Sequence, residues 1–493
     1  MVKSIVRVGG PDEDSVAALT ARFAGIRAEL GVPADFPPEV LAAAQAAASS
    51  PPRSDGDLRD LLFVTIDPPG STDLDQAMFL SRSAGSDGGF HVDYAIADVP
   101  AFVPAGHPVD AEARRRGQTL YAPDQRTPLH PTVLSENAAS LLEGADRPAF
   151  VWRFDLSATG EVQRVDLVRA VVRNRHRLDY AGVQAAAQAH PDAAPGKDPD
   201  DEVALQAVLL REIGELRMEL ERRRGGASLP LPEQEVEAKD GRYSVTLRPA
   251  VPAEDWNAQI SLMTGMAAAQ LMLTGRAGLL RTLPTPEQWA VDRFRRQAAA
   301  LGIPWAADVA YGEFLRGLRR DDPQELALMH EAGALFRGAG YTPIDPTPGA
   351  ALPAVTTHAA VAAPYAHVTA PLRRLVDRFG LVVSHALAQG QPVPDWALQA
   401  LPNLPAVMSA SDQLAGHIEH RCTDLVEAAV LAHRVGEQFD AVVVDTHKTG
   451  VKVQVIEPAV LASATGGAAL GAAVRVRLDI ADVEQGLVQF SVL

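Results

Sequence analysis

Three aspartates lie within nine residues of one another, directly after an apolar stretch of the chain. Asp67, Asp73 and Asp75 follow residues 61–64, whose side chains predict a buried strand. Carboxylates this crowded repel one another unless a hard cation lies between them, and Mg²⁺ takes oxygen ligands from carboxylates, phosphate and water. The cluster therefore predicts a site for metal-assisted phosphoryl transfer. An acidic loop with solvated side chains explains the cluster by itself equally well.

The whole chain has the composition of an ordinary globular protein. Its 493 residues are 47% hydrophobic and 22% charged, and the length suits two to four domains. The one cysteine, Cys422, excludes an intramolecular disulfide and a cysteine-based zinc site, which fits a reducing compartment. The sequence shows neither a signal-peptide pattern nor an apolar run of roughly 18–20 residues, so we expect a cytoplasmic protein without a membrane span.

The net charge of −17 does not by itself exclude a nucleic-acid partner, because binding depends on where the positive residues cluster. Arginines cluster at residues 114–116, 222–224, 293–296 and 373–374. Each cluster taken alone is more simply explained as a solvated helix face. Together they allow a positive channel in an acidic protein.

The hydrophobic patterning divides the chain into parts. Residues 1–50 carry apolar side chains at helical spacing, strand-like runs dominate residues 61–172, and helical periodicity prevails over residues 203–389. Segments of the tail, residues 436–493, alternate in the manner of strands between glycine-containing turns. We therefore predict an α+β protein that ends in a small five-stranded barrel of the OB type. Such barrels commonly bind oligonucleotides, although a purely structural β-domain is the alternative.

Further motifs follow the aspartate cluster in a definite order. The first are His91-Val-Asp-Tyr-Ala-Ile-Ala-Asp98, Arg116-Gly-Gln-Thr-Leu-Tyr121-Ala-Pro123 and Pro128-Leu-His-Pro131. Far downstream comes Tyr365-Ala-His-Val-Thr369-Ala-Pro-Leu-Arg373-Arg374. This order and spacing resemble the RNB catalytic domain of the ribonuclease II/ribonuclease R exoribonuclease family, over roughly residues 57–390. The tail is similar to the C-terminal S1-type OB-fold domain of that family.

The resemblance implies a division into three domains. We expect a small helical module at residues 1–50, an RNB catalytic domain of mixed sheet and helices at 51–435, and an S1-type OB-fold RNA-binding domain at 436–493. The family's N-terminal pair of cold-shock domains is not expected, because about sixty residues cannot contain two such barrels.

The resemblance also implies roles for individual residues at the acidic cluster. Asp67, Asp73 and Asp75 match three of the family's four active-site aspartates and are expected to be catalytic and to hold Mg²⁺. Gln76 stands where the family has the fourth aspartate, and its Oε1 is a further candidate ligand. Arg373 matches the family's catalytic arginine, whose guanidinium would stabilise charge on the reacting phosphate. A phosphate clamp without catalytic effect is the alternative for Arg373.

Five residues are predicted to bind RNA. Tyr121 matches a tyrosine that stacks on nucleotides in the family's RNA channel, and stacking tolerates any sequence. A tyrosine buried in the core is the alternative. Thr369 and Arg374 belong to the Thr-x-Pro-x-Arg-Arg element, and Lys448 and Lys452 offer positive charge for backbone contacts in the tail.

The function implied by the resemblance is a processive 3′→5′ exoribonuclease. It would hydrolyse single-stranded RNA from a free 3′ end to nucleoside 5′-monophosphates with Mg²⁺, as a monomer. The alternative is a catalytically weakened RNB protein that mainly binds RNA. Gln76 favours this alternative, as do departures from the family pattern at residues 226–230 and 259–265, where the 3′-terminal nucleotide would be held. A metal phosphatase acting on small substrates is a third hypothesis, which the OB-like tail disfavours.

Overall fold

The computed structural model describes residues 6–7, 13–50, 56–83, 88–191, 193, 199–227, 233–239, 242–248, 251–319, 322–458 and 460–493. Its helices are α1 Glu13–Glu29, α2 Pro38–Ser49, α3 Val99–Phe102, α4 Pro108–Arg116, α5 Tyr180–Ala189, α6 Pro199–Arg224, α7 Pro252–Gly275, α8 Gln288–Ala300, α9 Tyr311–Arg316, α10 Pro323–Ala332, α11 Leu375–Ala388, α12 Asp395–Ala400 and α13 Leu404–Leu431. Its strands are β1 Val6–Arg7, β2 Gly56–Asp57, β3 Phe63–Ile66, β4 Gln76–Arg82, β5 Phe90–Ala97, β6 Leu120–Tyr121, β7 Arg126–Thr127, β8 Asp146–Leu156, β9 Val162–Leu178, β10 Glu233–Lys239, β11 Arg242–Arg248, β12 Gly278–Thr282, β13 Gly340–Ile344, β14 Thr357–His358, β15 Ala363–Pro364, β16 Gln438–His447, β17 Gly450–Val455, β18 Leu461–Thr465, β19 Ala473–Asp482 and β20 Leu487–Val492.

A six-stranded sheet carries the acidic segment of the chain. Its strand order is β2-β9-β3-β4-β5-β8, and the aspartate cluster is the connection between β3 and β4. Strand β9 pairs with β8 through its first part and with β3 through its last residues, so it ties two edges of the sheet together. Because β3 is buried at all four positions, the chain segment that leaves it starts from a rigid base.

Helices cover both faces of this sheet, and alternation along the strands assigns side chains to each face. Val64 and Met78 belong to a core shared with α6, α7 and α11. Phe63 and Ala77, one residue away in each strand, belong to a second core shared with α2, α3 and α4. Successive strand side chains point to opposite faces, so one sheet buries both surfaces at once.

The tail forms a closed five-stranded barrel with the order β16-β17-β18-β20-β19. Strands β18 and β20 pair in parallel, and the other neighbours pair antiparallel. Phe439, Val453 and Phe490 fill the interior, together with Ala428 and Leu431 from the end of α13. The prediction of an α+β protein that ends in an OB-type barrel is confirmed.

The long helix α13 is the main element that was not predicted from the sequence. It spans 28 residues and packs against α1 through Leu19, Phe23, Ile418 and Val426. It also packs against the barrel, so it connects α1 to the tail. The domain bounds at residues 50 and 435 stay predictions. The core shared by α1 and α13 extends across the first bound, and the core shared by α13 and the barrel extends across the second. Among the described residues, none of the helices combines the length and the apolar character that crossing a bilayer requires.

Candidate active site

One cavity of about 590 Å³ collects side chains from distant parts of the chain. The predicted site residues that line it are Asp67, Asp73, Asp75, Gln76, Tyr121, Thr369, Arg373 and Arg374. It is also lined by Arg126, Tyr180 and Asn257, which no sequence motif included, and by Ser261 and Tyr365, which lie in quoted segments but were given no role. Two predicted RNA-binding residues lie elsewhere: Lys448 is exposed in the turn between β16 and β17, and Lys452 is half-buried on β17.

The connection between β3 and β4 holds the aspartates because its middle is anchored in the core. Leu74 is fully buried, its N–H donates to Ser140 Oγ at 2.9 Å, and its carbonyl accepts from Leu141 N at 3.0 Å. Gly70 supplies the turn at a φ of 90°, a conformation that glycine adopts without strain. Asp73 and Asp75 flank the anchored leucine, so both carboxylates are fixed at the cavity wall.

Asp75 is a buried carboxylate with one oxygen satisfied and one not. The Leu372 N–H donates to its Oδ1 at 2.7 Å. Its Oδ2 lies 3.3 Å from Arg373 Nε, but no described group donates a hydrogen bond to it. Burial raises the pKa of Asp75 to about 8, and the Arg373 charge and the Leu372 N–H offset only part of that effect.

Asp67, like Asp75, has one carboxylate oxygen without a hydrogen-bond donor. Its Oδ2 is buried and receives no hydrogen bond from the described residues. Burial raises the pKa of Asp67 to about 6, Arg373 lowers it, and the nearby charge of Asp73 raises it further. Buried oxygens without donors carry a desolvation cost that a divalent cation would relieve, so both side chains fit Mg²⁺. Within the described part of the chain, no three His, Cys, Asp or Glu side chains are already arranged as a metal-binding group.

Asp73 is held differently, by an arginine from the β6–β7 hairpin. Arg126 Nη1 donates to Asp73 Oδ1 at 2.7 Å, and Arg126 Nη2 lies 2.8 Å from Glu136 Oε1. The Asp73 side chain is 15% exposed and that of Arg126 is 29% exposed, so the pair is partly shielded from water. Arg126 lies in none of the motifs quoted for the family. Only its position five residues after Tyr121, across a short hairpin, could have suggested that it is near the site.

Gln76 is committed to two hydrogen bonds within the protein. Its amide Nε2 donates to the Thr369 carbonyl at 2.7 Å, and its Oε1 accepts from the Tyr94 hydroxyl at 2.6 Å. The Tyr94 hydroxyl also lies 2.7 Å from Ser261 Oγ on α7, and burial raises the pKa of Tyr94. An amide oxygen has two lone pairs, so one stays available beside the tyrosine. The amide thereby fastens β4 to the segment before α11.

The two adjacent arginines before α11 have different surroundings. Arg374 donates to both oxygens of Asp377, at 2.6 and 2.9 Å, and that carboxylate also accepts from Ala370 N. Arg373 is half-exposed, lines the cavity, and has Asp75 as its near carboxylate. Its backbone is fixed because its carbonyl accepts from Thr119 N at 2.9 Å. The geometry therefore leaves Arg373 available to a ligand and uses Arg374 to hold the turn.

Tyr121 is 54% exposed at the cavity, so the alternative of a core tyrosine is wrong. Partial desolvation of the hydroxyl raises the pKa of Tyr121 to about 12, and the charge of Asp73 adds to that effect. Its ring thus lies within electrostatic reach of the acidic cluster. A flat, exposed ring beside carboxylates and an arginine is an arrangement that can hold a base while its phosphate reaches the acidic residues.

Comparisons with known proteins identify similar domains and folds. Residues 55–389 match the model of the RNB domain, and residues 437–493 match that of the RNase II-type exonuclease C-terminal S1 domain. Ribonuclease R of Thermotoga maritima is 25% identical over 92% of this chain, which spans 64% of that relative's length. Mycoplasma genitalium RNase R in complex with ribose-methylated single-stranded RNA shares the fold, with a TM-score of 0.83, 18% identity, and coverage of 99% of this chain and 79% of the other.

A further structural neighbour is yeast Ssd1, described as a pseudonuclease. It has a TM-score of 0.60 and 17% identity, and the match covers 81% of this chain and 49% of the other. The acidic cavity therefore lies in a fold that is found with both ribonucleases and a pseudonuclease. The RNB model covers more than half of the chain, and on that ground the chain belongs to the RNB family, with an RNase II-type S1 domain at its C-terminal end.

Proposed function

We propose that this chain is a processive 3′→5′ exoribonuclease that hydrolyses single-stranded RNA to nucleoside 5′-monophosphates. The observation that carries the proposal is the pair of carboxylates Asp67 and Asp75, each with a buried oxygen that no described group donates to. Both lie beside the half-exposed Arg373 in one cavity. Buried charge of this kind is costly, and perturbed carboxylates in a cleft beside an arginine are typical of sites that handle phosphate.

Asp67 and Asp75 are the residues that would hold Mg²⁺, and Asp73 would join them if its carboxylate were released from Arg126. When bound there, the ion supplies Lewis-acid polarisation of a phosphoryl oxygen and a more acidic water. Gln76 supports the arrangement mainly by fastening Thr369, and its remaining lone pair is the part that could reach the ion.

The other residues of the cavity supply binding and orientation. Arg373 would donate to the non-bridging oxygens of the scissile phosphate, where negative charge builds up in the transition state. Tyr121 would stack on a base, and the buried pairing of Arg374 with Asp377 keeps the turn that presents Arg373 in place. Lys448 and Lys452 on the barrel would contact the RNA backbone outside the cavity.

A second candidate function is an RNB protein that binds RNA without efficient turnover. Gln76 favours it, since an amide stands where the family has a fourth carboxylate and is already hydrogen-bonded to Tyr94 and Thr369. The structural likeness to a pseudonuclease shows that this fold also occurs without activity. Retention of Asp67, Asp73, Asp75 and Arg373 together favours the enzyme.

A time course on 5′-labelled single-stranded RNA, with Mg²⁺ and with EDTA, tests the proposal. The expected result, only when Mg²⁺ is present, is conversion of full-length RNA to a short 5′-labelled limit product without accumulated intermediates. Chromatography of the same reactions should show nucleoside 5′-monophosphates as the released product. Intact RNA that nevertheless shifts in a binding assay would establish the second candidate instead. Action as a monomer in the cytoplasm is part of the proposal, and the buried free thiol of Cys422 is compatible with a reducing compartment.

A further inference from the structure

Arg126 is placed to decide whether Asp73 can join the acidic site. It contacts three acceptors at once: Asp73 Oδ1 at 2.7 Å, Glu136 Oε1 at 2.8 Å, and the Thr72 hydroxyl. Thr72 Oγ1 in turn donates to Glu136 Oε2 at 3.0 Å. The guanidinium thus has a second carboxylate, Glu136, already within contact and able to hold it without Asp73.

The three aspartates therefore differ in what they offer a cation. Asp67 and Asp75 each have a buried oxygen that no described group donates to, and Arg373 lies 3.3 Å from Asp75 Oδ2 without such a bond. Asp73 Oδ1, in contrast, accepts a hydrogen bond from the Arg126 guanidinium at 2.7 Å. A cation that approached Asp73 would meet the repulsion of Arg126 and would have to displace its hydrogen bond. In a partly buried pair that cost is larger than at an open surface.

The hairpin links this ion pair to the surface where RNA is expected. Arg126 is the cross-strand partner of Tyr121, and the turn between them is closed by Ala122 N donating to the Gln125 carbonyl at 3.0 Å. Tyr121 presents its exposed ring to the same cavity. Since residues directly opposite each other in an antiparallel pair have neighbouring side chains, a base that packs on Tyr121 lies close to the Arg126 side chain.

We propose that Arg126 couples RNA binding to metal binding at this site. In the RNA-free protein it neutralises Asp73. When single-stranded RNA packs on Tyr121, Arg126 turns to Glu136 and to an RNA phosphate, and Asp73 becomes available to the divalent cation. RNA then raises the affinity for the metal, and by linkage the metal raises the affinity for RNA by the same factor. The inference rests on the proposed RNA substrate and assigns Arg126 as a positioning residue.

Mn²⁺ binding to the full chain tests the coupling without reference to catalysis. Free Mn²⁺ is followed by electron paramagnetic resonance, with and without a 2′-O-methylated single-stranded RNA that resists hydrolysis. We expect RNA to tighten Mn²⁺ binding to the wild-type protein by about tenfold. In Arg126→Gln, Mn²⁺ should bind more tightly than to the wild type without RNA, and the effect of RNA should shrink to the part that RNA phosphate contributes as a ligand.

Two further variants make the result specific. Glu136→Gln removes the alternative partner, so Arg126 should hold Asp73 more firmly and Mn²⁺ should bind more weakly, the opposite direction to Arg126→Gln. Arg153→Gln is the matched control. Arg153 pairs with Asp93 at 2.8 Å outside the cavity, and its substitution removes the same charge as Arg126→Gln. It should leave both affinities as in the wild type.

The outcomes separate this inference from the proposed function. Equal Mn²⁺ affinity in the wild type, Arg126→Gln and Arg153→Gln, with or without RNA, would overturn the coupling. So would a change of the same sign in Arg126→Gln and Glu136→Gln. A wild-type protein that shows the coupling but does not hydrolyse unmodified RNA would refute the exoribonuclease activity and leave the role of Arg126 standing.

Discussion

Asp75→Asn should stabilise the metal-free protein while it abolishes hydrolysis. The Asp75 side chain is 4% exposed, and an asparagine of the same shape can still accept the Leu372 N–H through Oδ1. What the substitution removes is an ionisable carboxyl whose charged form leaves Oδ2 buried without a described hydrogen-bond donor. A residue that served only the fold would destabilise the protein when changed, so the sign of the effect is diagnostic.

The magnitude follows from proton linkage. Burial raises the pKa of Asp75 from 3.8 to about 8, so the folded protein keeps this proton over a pH range in which the unfolded chain has lost it. The stabilising effect of the protonated carboxyl is fully present below pH 3.8 and is lost as pH rises through about 8. At about 1.4 kcal/mol for each pH unit, the total loss is roughly 6 kcal/mol, of which about 2 kcal/mol falls between pH 6 and pH 8.

Thermal unfolding in EDTA, at pH 6, 7, 8 and 9, measures this effect. We expect the melting temperature of Asp75→Asn to exceed that of the wild type by a margin that grows with pH, by a few degrees between pH 6 and pH 8. Asp73→Asn is the control, because its carboxylate is paired with Arg126 and its loss should lower the melting temperature. A constant or negative difference for Asp75→Asn at every pH would refute the reasoning. Near wild-type turnover in this variant would refute the site itself.

Three further predictions concern the rest of the site. Gln76→Asp should lower the Mg²⁺ concentration for half-maximal activity, because a carboxylate attracts the ion more strongly than an amide does. It should also lower the melting temperature, because the hydrogen-bond donor to the Thr369 carbonyl is lost. A magnesium titration with an unchanged or higher midpoint would mean that residue 76 does not reach the ion. Tyr121→Ala should weaken RNA binding by about 1–3 kcal/mol in a fluorescence anisotropy titration while Tyr121→Phe stays near the wild type, and equal losses in both would argue against stacking. Replacing Lys448 and Lys452 together by alanine should reduce the slope of log affinity against log salt concentration by up to about 2. Cleavage of saturating RNA should be unchanged. An unaltered slope would mean that these lysines do not contact phosphates.

Short-range pattern was enough to predict much of the fold. The apolar residues before Asp67 form the buried strand β3, and the alternation in the tail corresponds to a closed barrel, because both signals come from neighbouring side chains. The helix α13 was not assigned, although it is one of the longest elements. It is stabilised on several sides by α1 and the barrel, and such distant partners leave no mark in the local sequence.

The same distinction runs through the site. The sequence by itself determined which chemistry the cavity can hold, since three aspartates in nine residues and an arginine in a recognisable element are local facts. Only the tertiary structure decided how Asp73 and Asp75, two residues apart, come to differ. Asp75 contacts Leu372 and Arg373, which are almost 300 residues away in sequence. Asp73 instead forms an ion pair with Arg126, from a hairpin about fifty residues away. A carboxylate's environment depends on its burial and on neighbouring donors, and both are determined only when the chain has folded.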